Sequence, residues 1–209
     1  MPRPAGVRNH DFEEKRTALL ETLTEFALTD DLRRPSLRQF AIAAGASEPT
    51  LRHYFGDRRG LVIAILEHIN LRAQPLWTIV ATGASDPEAA VEEYFRVTKA
   101  GMEHGGFARA HAFGIIEGLA DTEIGDAYLK FVLDPALATV SDKLAATPGG
   151  PNERQDGHVA AFMILAPLLV MTLHQELLGG SKESPIDQDG FLDRVKTWMA
   201  SALMAHKSS

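Results

Sequence analysis

The sequence contains no cysteine, which excludes a disulfide framework, a thiolate metal site and a thiol nucleophile. It also lacks strand-type alternation, an internal repeat and any low-complexity segment, so an all-helical chain is expected. No apolar signal-peptide core follows the opening MPRPAGVRNH, and a cytoplasmic protein is the expectation. The longest nearly uncharged run, VAAFMILAPLLVMTL, falls short of about 18 to 20 residues, contains Pro167 and has no flanking positive anchor. It is read as a helix buried on two sides, not as a membrane span. An excess of positive charge is missing too, since the net charge is −7. Taken alone, that argues against a nucleic-acid partner.

The distribution of charge reverses that inference. Residues 1 to 72 hold 11 Lys+Arg against 10 Asp+Glu, for +1, while residues 73 to 209 hold 10 against 18, for −8. Between Arg33 and Arg59 six arginines (33, 34, 38, 52, 58 and 59) face only Glu48 and Asp57, for +4. One basic patch on an acidic body suits a protein that approaches phosphates at one end.

The same stretch, SLRQFAIAAGASEPTLRHYFGDR from Ser36 to Arg58, reads as two short helices joined at Gly45-Ala46. Ser36 and Gln39 have the spacing of a reciprocal capping box, and Leu37, Phe40, Ala41 and Ala44 share one face. Gly45 supplies the left-handed residue that ends the first helix. Ser47 caps the second, and Pro49 falls in its first turn, where a missing N–H costs nothing. At 100° per residue Leu51 and Phe55 face inward, and Pro49, Thr50, Arg52 and His53 form the outward arc. Arg, Thr and His are side chains that read base edges in a major groove.

The order SLRQFA..AGAS..TL..YF..R resembles the TetR family of bacterial transcriptional regulators over about the first third of the chain. The resemblance implies that Ser47 to Phe55 is the recognition helix and that Arg58 contacts phosphate. Ser36, Arg38, Ser47 and Tyr54 join Pro49, Thr50, Arg52 and His53 as the expected DNA-binding set. Three positions depart from the usual pattern: Arg52 where an aromatic is common, Ile42 for a polar or basic residue, and Ala46 for a larger aliphatic.

The remaining sequence reads as a larger helical body, giving about nine helices in all. Residues 1–9 are expected to be a disordered arm, 10–57 a three-helix DNA-binding domain, and 58–209 a ligand-binding and dimerisation domain. Asp11 and Glu14 are expected to cap the first helix. The helix after Asp57 should kink or split at Pro75, and one from Asp121 or Thr122 to about Ala146 should be strained at Pro135. The last two helices, about His158 to Leu178 and Asp187 to Ala205, should pack antiparallel. Phe191, Val195, Trp198, Ala202 and Leu203 form a stripe on the second of them. The resemblance implies that this pair meets its copy in a homodimer.

Eight histidines raise the question of metal or hydrolytic chemistry. No His-Glu-x-x-His or nucleophile elbow occurs, and Gly105-Gly106 separates His104 from His111, so no metal, cofactor or enzymatic activity is expected. Trp77, Phe95, Met102, Phe113, Phe131, Met163 and Met171 could line an apolar cavity, with His111, His174 and Glu117 as orienting polar groups. The expected function is a dimeric, sequence-specific regulator, a repressor released from a near-palindromic operator by a small, largely apolar effector. The alternative is a small-molecule-binding or catalytic helical protein without regulatory DNA binding.

Overall fold

A computed structural model describes residues 5–29, 33–103, 106–151 and 153–206. Among these residues there is no strand, and the chain forms eleven α-helical segments with two π-helical turns. By its contacts the chain divides into two units, Met1–Arg72 with Phe113–Val132, and Ala73–Ala112 with Leu133–Ser209. The first unit therefore extends beyond the expected 10–57 domain.

In the first unit, α1 (Ala5–Ala27) is followed by α2 (Leu37–Ala43), α3 (Glu48–Phe55) and the beginning of α4 (Arg58–Val80). Helix α1 starts at Ala5, so the Asp11–Glu14 cap does not form and residues 5–9 of the expected arm are helical; residues 1–4 lie outside the described residues. Leu20, Leu23 and Ala27 of α1 are buried, as are Leu37, Phe40 and Ala41 of α2, Leu51 and Phe55 of α3, and Leu61, Val62, Ile65 and Leu66 of α4. These positions step by three and four along each helix and pool their apolar faces into one core. Phe26 meets Phe40 edge to face at 5.7 Å between ring centres. Thr24 donates to the Leu20 carbonyl at 2.7 Å and sits 3.0 Å from His68 Nδ1, a polar tie between α1 and α4.

The same unit contains the end of α6 (Gly106–Gly118) and α7 (Thr122–Tyr128). Their backbones come close at glycines. A Cβ on Gly118 would stand 2.9 Å from Gly125 Cα, and one on Gly114 would stand 2.1 Å from the Tyr128 ring. Helix α4 continues unbroken through Pro75, so the expected split does not occur. Leu71, Gln74, Pro75 and Leu76 are exposed there, so water can satisfy the carbonyl that proline leaves without a donor.

The second unit is built from α5 (Pro87–Glu103), α8 (Asp134–Ala145), α9 (Arg154–Thr172) and α11 (Gln188–His206), with a one-turn α10 (Gly180–Glu183). Helix α8 packs on α9 and α5, and α11 packs on α5 and α9. Their core includes Val91, Phe95, Leu137, Val140, Ile164, Leu168 and Val195. The long helix expected from 122 to 146 runs without a gap from Thr122 to Ala145, and its expected strain shows as the π-helical turn Leu129–Leu133 just before Pro135, which removes an amide from the ladder. A second π-helical turn, Leu173–Leu177, extends α9.

Residues 154–177 are long and apolar enough to cross a membrane by length and composition. Within one chain helix α9 is buried on one side, not on the two expected. Ala161, Ile164, Leu165, Leu168 and Leu169 face the core, while Val159, Phe162, Met163 and Val170 are exposed. Helix α11 likewise buries Leu192 and Val195 but leaves Trp198 64% exposed. The Phe191-to-Leu203 stripe therefore splits between an inner and an outer face.

Candidate nucleic-acid interface

The interface begins with a fully capped α2. The Ser36 hydroxyl accepts from the Gln39 amide at 3.3 Å, and the Gln39 side chain accepts from the Ser36 amide at 2.8 Å. At the other end Gly45 adopts φ 59°. The Gly45 amide donates to Ile42 at 3.1 Å and the Ala46 amide to Ala41 at 2.9 Å, the paired bonds of a Schellman stop. Ser47 then caps α3 by accepting from the Thr50 amide at 3.2 Å. Its hydroxyl also lies 2.8 Å from the Thr50 hydroxyl, so these two candidate DNA contacts are bonded to each other.

Leu51 and Phe55 seat α3 on the core, leaving Pro49, Arg52 and His53 exposed and Thr50 half-buried. Arg38 and Arg52 make no ion pair among the described residues, and Ser36 and Arg38 are exposed at the start of α2. Ile42 is also exposed, an apolar side chain beside this polar face. The aromatic pair of α3 docks on α1. Phe12 lies 4.7 Å from the Tyr54 ring and 5.4 Å, edge to face, from His53. Arg16 lies 5.4 Å over Phe55. Tyr54 is thus half-buried in helix packing and His53 is braced from one side, while Arg52 is the exposed basic group of the arc.

Arg58 is not presented to solvent as an open phosphate contact. Its Nε donates to the Pro35 carbonyl at 2.7 Å, and its two terminal nitrogens donate to the two oxygens of Glu117 at 3.0 and 2.5 Å. Glu117, at the end of α6, is fully buried, and Arg34 reaches it as well at 3.3 Å. Arg59 is bound by Asp121 at 2.9 Å and Glu123 at 2.7 Å at the start of α7. The hydrogen bond from Arg59 holds the half-buried Asp121 carboxyl below its ordinary pKa, and the backbone amides it caps act in the same direction. Sequence reasoning missed the Arg58–Glu117–Arg34 cluster. Its partners are 59 and 83 positions apart, and no local pattern links them.

The residues expected around an effector divide between the units. Phe113, Glu117 and Phe131 belong to the first; Trp77, Phe95, His111, Met163, Met171 and His174 belong to the second. Glu117 is committed to arginines, and Lys130 lies 4.6 Å over the Phe131 ring. Met163 opens onto a surface groove of 170 Å³ with Val159, Met199 and Leu203, and is not in the core. His174 is 2.7 Å from the Gln175 amide nitrogen and packs over Gly180. Phe95 and Met171 are core residues, and the Met102 side chain lies outside the described residues. His111 is buried, which lowers its pKa to about 4 and keeps it neutral. Trp77 packs against the second core with its Nε1–H buried and without a hydrogen-bond partner among the described residues.

No protein-family model matches the sequence, and no curated protein matches it significantly. Among solved structures, a Mesorhizobium loti protein assigned to the TetR family of transcriptional regulators aligns with a TM-score of 0.60. The alignment covers 93% of this chain and 96% of that one, at 17% identity. The chain has a TetR-like fold. The likeness spans nearly the whole chain, whereas the sequence resemblance rested on Ser36 to Arg58, and this TetR-like fold therefore includes the helical body.

Proposed function

We propose that the chain is a dimeric, sequence-specific DNA-binding transcriptional regulator, a repressor released from its operator by a small, largely apolar molecule. The observation that carries the proposal is α3 itself. It is capped by Ser47, seated by Leu51 and Phe55, and turns Pro49, Arg52 and His53 to solvent. A helix held this way can enter a major groove, with Arg52 reading guanine and the start of α2 reaching phosphate through Ser36 and Arg38.

The exposed apolar faces of α9 and α11 support a homodimer. Val159, Phe162, Met163, Val170 and Trp198 form more outward apolar surface than isolated exposed side chains require. A second copy related by a two-fold axis would cover them and impose a near-palindromic operator. The unpaired Trp77 Nε1–H supports an effector that is apolar but carries one acceptor, with Phe95, His111 and Met171 as its proposed neighbours in the second unit.

The test is an electrophoretic mobility shift on DNA from upstream of the protein's own coding region, with a random duplex of equal length as competitor. Retained specific binding supports the regulator. Equal competition by random DNA at every concentration favours a helical small-molecule protein without regulatory DNA binding.

A further inference from the structure

We infer that Glu117 is a positioning residue for the DNA-binding face, and that Arg58 acts on DNA by holding the start of α2 and not by touching phosphate. This inference rests on the proposed DNA-binding function. Three donors of one guanidinium are used at once: Nε on the Pro35 carbonyl, and the two terminal nitrogens on the two Glu117 oxygens. The Pro35 carbonyl immediately precedes Ser36, whose hydroxyl and amide form the cap of α2. One side chain thus ties the residue just before the DNA-facing motif to the start of α4 and the end of α6. Arg34 bonds the same carboxylate from the segment leading into α2.

Solvation decides between the two possible roles of Arg58. Glu117 is fully buried, and Arg34 is nearly half exposed. Moving Arg58 to a phosphate would leave a buried carboxylate with one loosely held partner, and an uncompensated buried charge is strongly unfavourable. A DNA phosphate, hydrated and accessible to Arg38 and Ser36, offers no matching gain. Only arginine can supply this fork, because a lysine ammonium is a point charge that cannot hold two carboxylate oxygens and a carbonyl together.

The experiment compares Glu117→Gln and Arg58→Lys with wild type on two probes. One is a labelled random 30-base-pair duplex; the other is the duplex that wild type enriches from a random pool. Arg58→Lys keeps the charge, so a phosphate contact would survive it. We expect both variants to bind the enriched duplex about tenfold more weakly, with random-duplex affinity not reduced and the slope of log K against log salt unchanged. An Arg38→Gln control should flatten that slope by about 0.9, the loss of one phosphate contact. Wild-type affinity of Arg58→Lys for the enriched duplex, or tighter binding to it by Glu117→Gln, would overturn the inference.

Native-state hydrogen exchange supplies a second readout that needs no DNA. The Gln39 and Phe40 amides, bonded to Ser36, should exchange about tenfold faster in both variants while the amides of α9 do not change. If wild type enriches no duplex, the DNA-binding proposal fails, and these amides alone decide whether the cluster holds α2. Unchanged exchange at Gln39 and Phe40 would overturn that as well.

Discussion

Val170→Asp separates the proposed dimer from the fold of one chain. Val170 is 63% exposed on the outer face of α9, so in a single chain an aspartate there stays hydrated and costs little. In a dimer built on this face the same carboxylate is buried without a partner, at a cost of several kcal/mol. Two-fold symmetry puts the substitution in the interface twice. At about 3 kcal/mol per copy the dimer loses roughly 6 kcal/mol, a factor of about 10⁴ in its dissociation constant. Sedimentation equilibrium at micromolar concentration should then give a dimer for wild type and a monomer for Val170→Asp, with equal helix content by circular dichroism. A variant that remains dimeric, or a wild type that is already monomeric, would refute the assignment of this face.

Arg52→Ala should cost about 1 to 3 kcal/mol on the preferred duplex and relax specificity at one base-pair position, which a panel of single-base variants would show. Ser47→Ala removes the cap of α3 and should lower stability by about 1 kcal/mol, read as a lower urea midpoint at unchanged slope. His111 is about 4 in the folded state against about 6.5 unfolded, so the unfolded chain takes up the proton first. Its contribution is complete above pH 6.5 and drains as pH falls toward 4, by about 3 kcal/mol at most. Urea midpoints across that range should fall less steeply for His111→Asn than for wild type, and parallel curves would show that His111 is not responsible.

The helix-turn-helix was legible because its signals are local. The Ser36–Gln39 box, the Gly45 stop and the Ser47 cap each act within three to five residues, and each forms as expected. The all-helical class followed from the periodicity of apolar residues. The start of α1 was not legible, because the prolines and glycine of residues 1–9 resemble a disordered arm, yet the helix begins at Ala5. Nor was the direction of Trp198, since α11 carries apolar residues on two faces and the sequence does not say which one meets the core. The commitment of Arg58 and Glu117 to each other depends on chain topology, which brings the end of α6 beside the start of α4. The docking of Phe12 on His53 and Tyr54 is equally non-local.

The most direct test of the central claim is selection from a pool of random 30-base-pair duplexes by the wild-type protein. The account predicts enrichment of a near-palindromic sequence whose half-sites lie about one helical turn apart, roughly 34 Å, and loss of preference at one position per half-site with Arg52→Ala. A pool that remains unenriched after repeated rounds, or an enriched sequence that Arg52→Ala binds as wild type does, would contradict it.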